Sequence, residues 1–440
     1  MAKKPTSSRP SGQAKPSSAA SPGSNASSVE DLLLAALARG DDSHQTGRYL
    51  VTFKDGALEQ GVKSLQAQSM RTADARDFSN QAVSMDALAD ADALVLPEIG
   101  VALISGPAAS SRGFSLSSVQ DTDSAVEAIE PEYFVFAEGD PGEYLRGFLR
   151  AAQTIAQDLG DGRCDDDAVI DPQVLGATWG INACRVPPSV YSGVGIRVAV
   201  LDTGMDTGHP DFAGRVIVSQ TFVGQPVQDL HSHGTHCIGT ACGRKAPAGN
   251  IPRYGVAFGA QIYVGKVLAN SGSSVGGSVL AGMNWAIANK CAVISMSLGG
   301  QGGVQAAYTA AGNAALNNGC LIIAAAGNSA AATFAPANSP SIMSVASLDS
   351  TLAPSSFSNF GKVEIAGPGR DVYSSVPRPT LYGIKSGTSM ATPHVAGCAA
   401  LWAQTSPNMR GMALWNRLMA SARPLPFPAV RVGRGLVQAP

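Results

Sequence analysis

The chain has 440 residues, enough for two to four domains at roughly 100–200 residues each. Lys and Arg number 31 against 33 Asp and Glu, for a net charge of −2. This leaves no broad cationic surface, so nucleic acid or anionic lipid is not expected as the main partner. Charged residues make up 15% of the chain, and Gly (49) and Pro (27) are abundant. That composition suits a compact α/β enzyme rich in tight turns and excludes a long coiled coil.

Residues 1–28 are Ser, Pro, Ala and Gly with scattered Lys and Arg, too little apolar surface to offset ordering, and are expected to be a disordered tail. A short helix and linker are expected over 29–46, starting at Ser28-Val-Glu-Asp31 and running into LLLAALAR. The apolar run at 32–37 is short, lies far from the start and follows two acids, so it makes a poor signal peptide. A cytoplasmic location is therefore expected over secretion. No stretch reaches about 18 consecutive apolar residues.

Over 47–139 the pattern suggests a small α+β unit. RYLVTFKDG (48–56) and EIGVALISG (98–106) read as strands, and SAVEAIEPEYFVFAEG (124–139) as a short helix followed by a third strand. Residues 140–177 form a linker in which EYLRGFLRAAQTIAQDLG predicts one amphipathic helix. An acidic loop with Asp158, Asp161, Asp165, Asp166, Asp167 and Asp171 follows, without the alternation of an EF-hand. Residues 178–440 form the remaining domain. There IRVAVLD (196–202), QIYVGKVL (261–268), AVISMSLGG (292–300), CLIIAAAGN (320–328) and SIMSVAS (341–347) are continuous apolar runs, as for strands buried on both faces. GSVLAGMNWAIANK and VQAAYTAAGNAALNNG between them have helical periodicity, so the expected fold is a three-layer α/β sandwich around a parallel sheet. Seven scattered cysteines (164, 184, 237, 242, 291, 320, 398) form no zinc-type pair and suit a reducing compartment.

Open parallel sheets bind ligands at the carboxyl ends of their strands. Those ends carry Asp202, then Ser297-Leu298-Gly299, then Gly327-Asn328. Two further segments stand out, His231-Ser-His233-Gly-Thr-His236-Cys237 and Gly387-Thr-Ser389-Met-Ala-Thr-Pro-His394. Ser389 follows a glycine at the start of a helical run, where unpaired amides favour developing negative charge. A serine is a nucleophile only with a base and an orienting partner, roles open to His233 and Asp202.

Asp202-Thr-Gly, His233-Gly-Thr-His236, Ala-Ala-Ala-Gly-Asn328 and Gly387-Thr-Ser389-Met-Ala-Thr-Pro-His, in this order over about 178–440, resemble the subtilisin-like serine proteases (subtilases, peptidase family S8). Cys237 in His-Gly-Thr-His-Cys resembles the proteinase K branch in particular. The resemblance implies a serine endopeptidase with Ser389 as nucleophile, His233 as base, Asp202 orienting it and Asn328 donating to the oxyanion. It implies substrate pairing with Ser297, Leu298 and Gly299 and with Ser271, Gly272 and Ser273, and a P1 pocket walled by Ala325, Ala326 and Gly327, suited to an apolar or medium-sized side chain. It also implies that 47–139 is an inhibitor-type, ferredoxin-like propeptide, cut near 137–139 or further along 137–177. The enzyme would then act on polypeptides as a monomer, inhibited by its own propeptide. No cofactor is required; Asp211 matches a calcium ligand of the family while Arg244 and Lys245 in a neighbouring stretch argue against the ion, so a structural calcium stays open. Three alternatives remain open. His-x-His-x-x-His over 231–236 is the spacing of a zinc hydrolase loop, the fold could serve as a silent binding protein, and the triad could ligate or cyclise peptides.

Overall fold

A computed structural model describes residues 44–78, 91–106, 124–137 and 176–440, together with Val29, Leu32, Leu33, Ala36 and Ala108. The expected tail, linker helix, acidic loop and Cys164 lie outside the described residues.

The larger unit is built on seven parallel strands: β6 (Arg197–Asp202), β7 (Ile217–Thr221), β8 (Gln261–Lys266), β10 (Val293–Met296), β11 (Leu321–Ala325), β12 (Met343–Leu348) and β13 (Ile365–Pro368). Their spatial order is β13-β12-β11-β10-β6-β8-β7. Because successive side chains on a strand point to opposite faces, each strand feeds two separate cores. Val198, Val200, Val293, Leu321 and Ile323 pack under helices α3 (His233–Cys242) and α6 (Thr388–Thr405). Ala199, Leu201, Ile294, Met296, Ile322 and Ala324 pack under α4 (Gly276–Ala288) and α5 (Ala306–Asn317). This double burial explains why the strands read as unbroken apolar runs. The chain leaves β6 toward β8 on one side and β10 on the other, opening a crevice at the ends of β6 and β10.

The smaller unit contains β1 (Gln45–Phe53), α1 (Leu58–Ala67), β2 (Thr72–Asp74), β3 (Ala93–Leu96), β4 (Val101–Ile104) and β5 (Val126–Phe136). Its sheet runs β2-β3-β4-β1-β5 and continues onto the short β9 (Ser273–Val275) of the larger unit. One face packs with Leu65 of α1, and the other joins the core under α4 and α5. The helix expected at the start of 124–139 is instead the first half of β5. Pro131 cannot donate an intrahelical bond, and β1 satisfies this stretch from Val126 to Tyr133.

Two carboxylates dock the units together. Glu132 is fully buried. It accepts bonds from the Gly277 amide at 2.6 Å, Thr46 Oγ1 at 2.6 Å and the Arg48 guanidinium at 2.6 and 3.0 Å. Glu130 accepts from the Ala307 amide at 3.3 Å. Each carboxylate sits at a helix N-terminus, of α4 and α5 respectively, where the backbone amides and helix dipole favour negative charge.

Candidate active site

Asp202 is the last residue of β6, and its Oδ1 lies 2.7 Å from Nδ1 of His233, the first residue of α3. The two elements can approach because Gly234 has no side chain. A Cβ there would stand 2.3 Å from the Gly204 carbonyl oxygen. Asp229 organises the entry to α3, accepting from the amides of His231 (2.9 Å), Ser232 (2.8 Å) and Thr235 (2.9 Å) and from Thr203 Oγ1 (3.0 Å). With a carboxylate facing Nδ1, that nitrogen carries the proton and Nε2 is left as the base. Burial alone would lower the His233 pKa, but the attraction of Asp202 outweighs it and the pKa stands well above the usual histidine value.

Ser389 lies in the first turn of α6, buried beside the crevice. Pro393 has no amide hydrogen to offer the Ser389 carbonyl four residues back. Ser297 Oγ fills that place at 2.7 Å and Cys237 Sγ approaches at 3.5 Å, tying the segment after β10 to the nucleophile helix. The Ser389 hydroxyl donates to the carbonyl oxygens of Ala137 (3.2 Å) and Ser297 (3.4 Å). Asn328 is oriented through Oδ1, which accepts from the Thr388 amide (2.8 Å) and Thr388 Oγ1 (2.9 Å). This leaves the Asn328 amide hydrogens as the donors of that side chain in a pocket lined also by Ser389.

That pocket is bounded by Leu298, Gly299, Ala325, Gly327, Phe334 and Thr388, and by Phe136 and Ala137 from the smaller unit. Ala326 does not line it: the residue is fully buried, with its carbonyl held by Asn359 Nδ2 at 3.1 Å. Gly327 adopts a left-handed φ of +111°, and a Cβ there would meet Asn359 Nδ2 at 2.3 Å and the Phe334 ring at 2.8 Å. Both rims of the crevice are occupied by β5. Phe136 and Gly299 exchange two backbone bonds of 3.0 Å, and the Ala137 amide donates to Gly272 at 2.8 Å. Phe136, Val135 and Phe134 face Ser273, Ser274 and Val275 in antiparallel register. Ser271 Oγ and Ser273 Oγ are 2.8 Å apart on that rim.

The three histidines of 231–236 do not converge on a metal. His236 Nε2 turns to the Val372 carbonyl at 2.9 Å, and His233 Nδ1 is taken by Asp202. Among the described residues, the one group of three potential ligands close enough to share an ion is Asp202, His233 and Cys237. Cys237 Sγ sits 3.9 Å from His233 Nδ1, and burial raises its thiol pKa. Asp211 Oδ2 accepts from the hydroxyls of Tyr254 (2.5 Å) and Tyr382 (3.0 Å), while its Oδ1 is buried without a hydrogen-bond partner among the described residues.

Several site residues escaped sequence reasoning. Lys266 is fully buried at the end of β8, donating to the Thr203 carbonyl and to Asn270 Oδ1 at 2.7 Å. Burial lowers its pKa to about 8 against the pull of Asp229 and Asp202. Asp229, Thr388, Phe334 and Asn359 were likewise missed. Asn359 and Thr388 hold the turn at Gly327–Asn328 from about 30 and 60 positions away, whereas Asp229 binds the segment that directly follows it.

A buried Asp–His pair beside a serine at a helix N-terminus, with a side-chain amide facing the same pocket, defines a serine hydrolase of the triad type. The relatives agree. A family model for the subtilases matches residues 193–435. Subtilisin NAT of Bacillus subtilis subsp. natto is 34% identical over 301 residues, spanning 66% of this chain and 77% of that protein. An alkaline protease of Shouchella clausii is 38% identical over 282 residues, 62% of this chain and 72% of its own. The solved structure of a cold-adapted subtilisin-like serine proteinase superposes with a TM-score of 0.54 at 33% identity, covering 60% of this chain and 99% of that one. The chain belongs to the subtilase family, and it is a serine endopeptidase.

Proposed function

We propose that the protein is made as a self-inhibited zymogen. In this reading residues 47–139 are its propeptide, and the peptide bonds on either side of Glu138 are where it cuts itself. The observation that carries the reading is the course of β5. Its end lies as a strand between Gly272–Val275 and Gly299, and the Ala137 carbonyl oxygen is 3.2 Å from Ser389 Oγ. An extended peptide added to two strand edges is how a protease cleft holds a substrate backbone. The contacts of Glu132 and Glu130 with the first turns of α4 and α5 would hold this strand in place after the cut.

Chemistry then follows the site. Ser389 Oγ bonds to the scissile carbonyl carbon as His233 Nε2 takes its proton, and Asp202 steadies the imidazolium. Asn328 and the Ser389 amide donate to the oxyanion. The C–N bond breaks as His233 returns the proton to the leaving amine. Water, deprotonated by His233, then attacks the acyl carbon; the ester bond to Oγ breaks as His233 returns the proton to Ser389, and the acid is released. Phe334 beside Gly327 narrows the P1 pocket, which supports small or medium apolar side chains in substrates. The position of Cys237 against His233 supports likeness to the proteinase K branch.

The test is intact mass with fluorophosphonate labelling of the wild-type chain beside Ser389→Ala. Wild type should shorten from its N-terminus to a mass set by a cut at residue 137 or 138 and take one label, while Ser389→Ala stays whole and unlabelled. A wild-type chain that neither shortens nor labels, even after limited proteolysis of 140–177, would overturn the reading in favour of a silent fold. Product masses above those of the fed peptides would point to ligation.

A further inference from the structure

Along β5 the side chains alternate. Val135 and Ala137 point into the core shared with Leu298, Leu268 and Val279, whereas Phe134 and Phe136 belong to a separate apolar cluster. In that cluster, among the described residues, the larger unit contributes Val275. Even so, Phe134 and Phe136 are each only 3% exposed. They are covered by Val29 and Leu33, which are themselves 7% and 0% exposed, with Leu32 and Ala36 packed at the edge. These four residues are helical, and their spacing of i, i+3, i+4 and i+7 is that of one helix face.

Resting on the zymogen reading, we propose that this N-terminal helical stripe is a clamp that docks on the outward face of the inhibitory strand. Its partner surface is Phe134, Phe136 and Val275, and its effect is to slow release of the strand after the cut. A substrate peptide can use the same backbone pairing and the same pocket, but it brings no such cover. The clamp therefore favours the chain's own strand over substrates without touching the catalytic groups. Because Val275 stays with the enzyme after cutting, part of the clamp's grip crosses directly between the two pieces.

The experiment compares the full-length chain with Leu33→Asp and Val29→Asp, following the cut by intact mass and the onset of activity with a peptide substrate. All three chains should be cut at the same position. Both variants should emerge from inhibition several-fold sooner. About tenfold, the ratio that burial of one such side chain is worth, is the ceiling, because among the described residues only the contact with Val275 breaks on release. Once the N-terminal piece is gone, kcat should equal that of wild type. Complete cutting with an unchanged lag in both variants would overturn the clamp and leave the zymogen reading standing. A wild-type chain that is never cut, or shows no lag, would remove the zymogen reading itself. If the variants never reach wild-type kcat, Ala36→Glu at the edge of the contact reads the same lag, and again an unchanged lag overturns the clamp.

Discussion

At the scale of single residues, the site divides into groups that would move protons and groups that hold them in place. Asn328 is fixed through its oxygen by Thr388, so only its amide hydrogens are available to the oxyanion. Asn328→Ala should lower kcat by roughly 10²–10³ with little change in KM, the loss measured for such a donor in a subtilisin; steady-state kinetics on a peptide substrate checks it. Asp202→Asn should cost about 10⁴ in kcat, as in other serine proteases, because the wrong imidazole tautomer is then held. The pH profile adds a second readout. His233 acts as a base only when neutral, so activity falls as pH drops through its raised pKa. Without Asp202 that acidic limb should move to lower pH. Cys237 offers a third check: a mercurial bound there would push on His233 and abolish activity. Cys237→Ser should be insensitive, and full activity after confirmed modification would refute the packing argument. Asp202, His233, Asn328 and Ser389 all stand in short motifs, because a reacting group needs fixed small neighbours. Lys266 carries no such mark, since it bonds to the Thr203 carbonyl 63 positions away, while Asp229 serves its near neighbours His231, Ser232 and Thr235.

The elements that carry these groups meet through missing atoms. Gly234 lets α3 close on the turn after β6, and Gly234→Ala would place a methyl 2.3 Å from a backbone oxygen that cannot rotate away. That variant should lose several degrees of thermal stability and much of its kcat, as seen by calorimetry and kinetics. Buried histidines set another limit. Burial, followed by the charge of Lys385, lowers the His236 pKa to about 3, and burial lowers that of His394 to about 4. Both folded values lie below the unfolded value near 6.5, so their stabilising effect is complete above pH 6.5 and is lost as pH falls toward the folded values. Each should cost about 1 kcal/mol by pH 5.5. His233 acts in the opposite sense, so the check is a difference: His236→Gln should flatten the acid side of a plot of stability against pH. Element identity was mostly readable from apolar runs and helical periodicity. The exception, 124–130, has a helix-like composition but pairs with β1, and that tertiary pairing decides its state.

For the whole molecule, the smaller unit is held to the larger by backbone pairing at β9 and by carboxylates at two helix ends. Glu132→Ala would leave the Gly277 amide and the Arg48 guanidinium without their buried partner. Breaking such a pair typically costs about 3–5 kcal/mol. The expected outcome is faster hydrogen exchange in β5 and in the first turn of α4, with the parallel sheet unaffected; uniform exchange across both regions would contradict it. The enzyme's metal requirement is tested at the same scale. Since the imidazoles of His233 and His236 are engaged by Asp202 and by the Val372 carbonyl, a chelator should leave the initial hydrolysis rate unchanged.

The sequence by itself determined the parallel-sheet architecture, the family, and the order of Asp202, His233, Asn328 and Ser389. Each rests on a local requirement: a strand buried on both faces must be apolar throughout, and a reactive group in a tight turn needs glycine beside it. What only the tertiary structure decided was which distant groups meet. Asn359 shapes the turn at Gly327, Tyr254 and Tyr382 take the Asp211 carboxylate, and β5 runs into the crevice with the stripe of Val29 and Leu33 across its back. Those contacts join residues tens to hundreds of positions apart. They are set by how the layers pack, and no short stretch of chain carries their imprint.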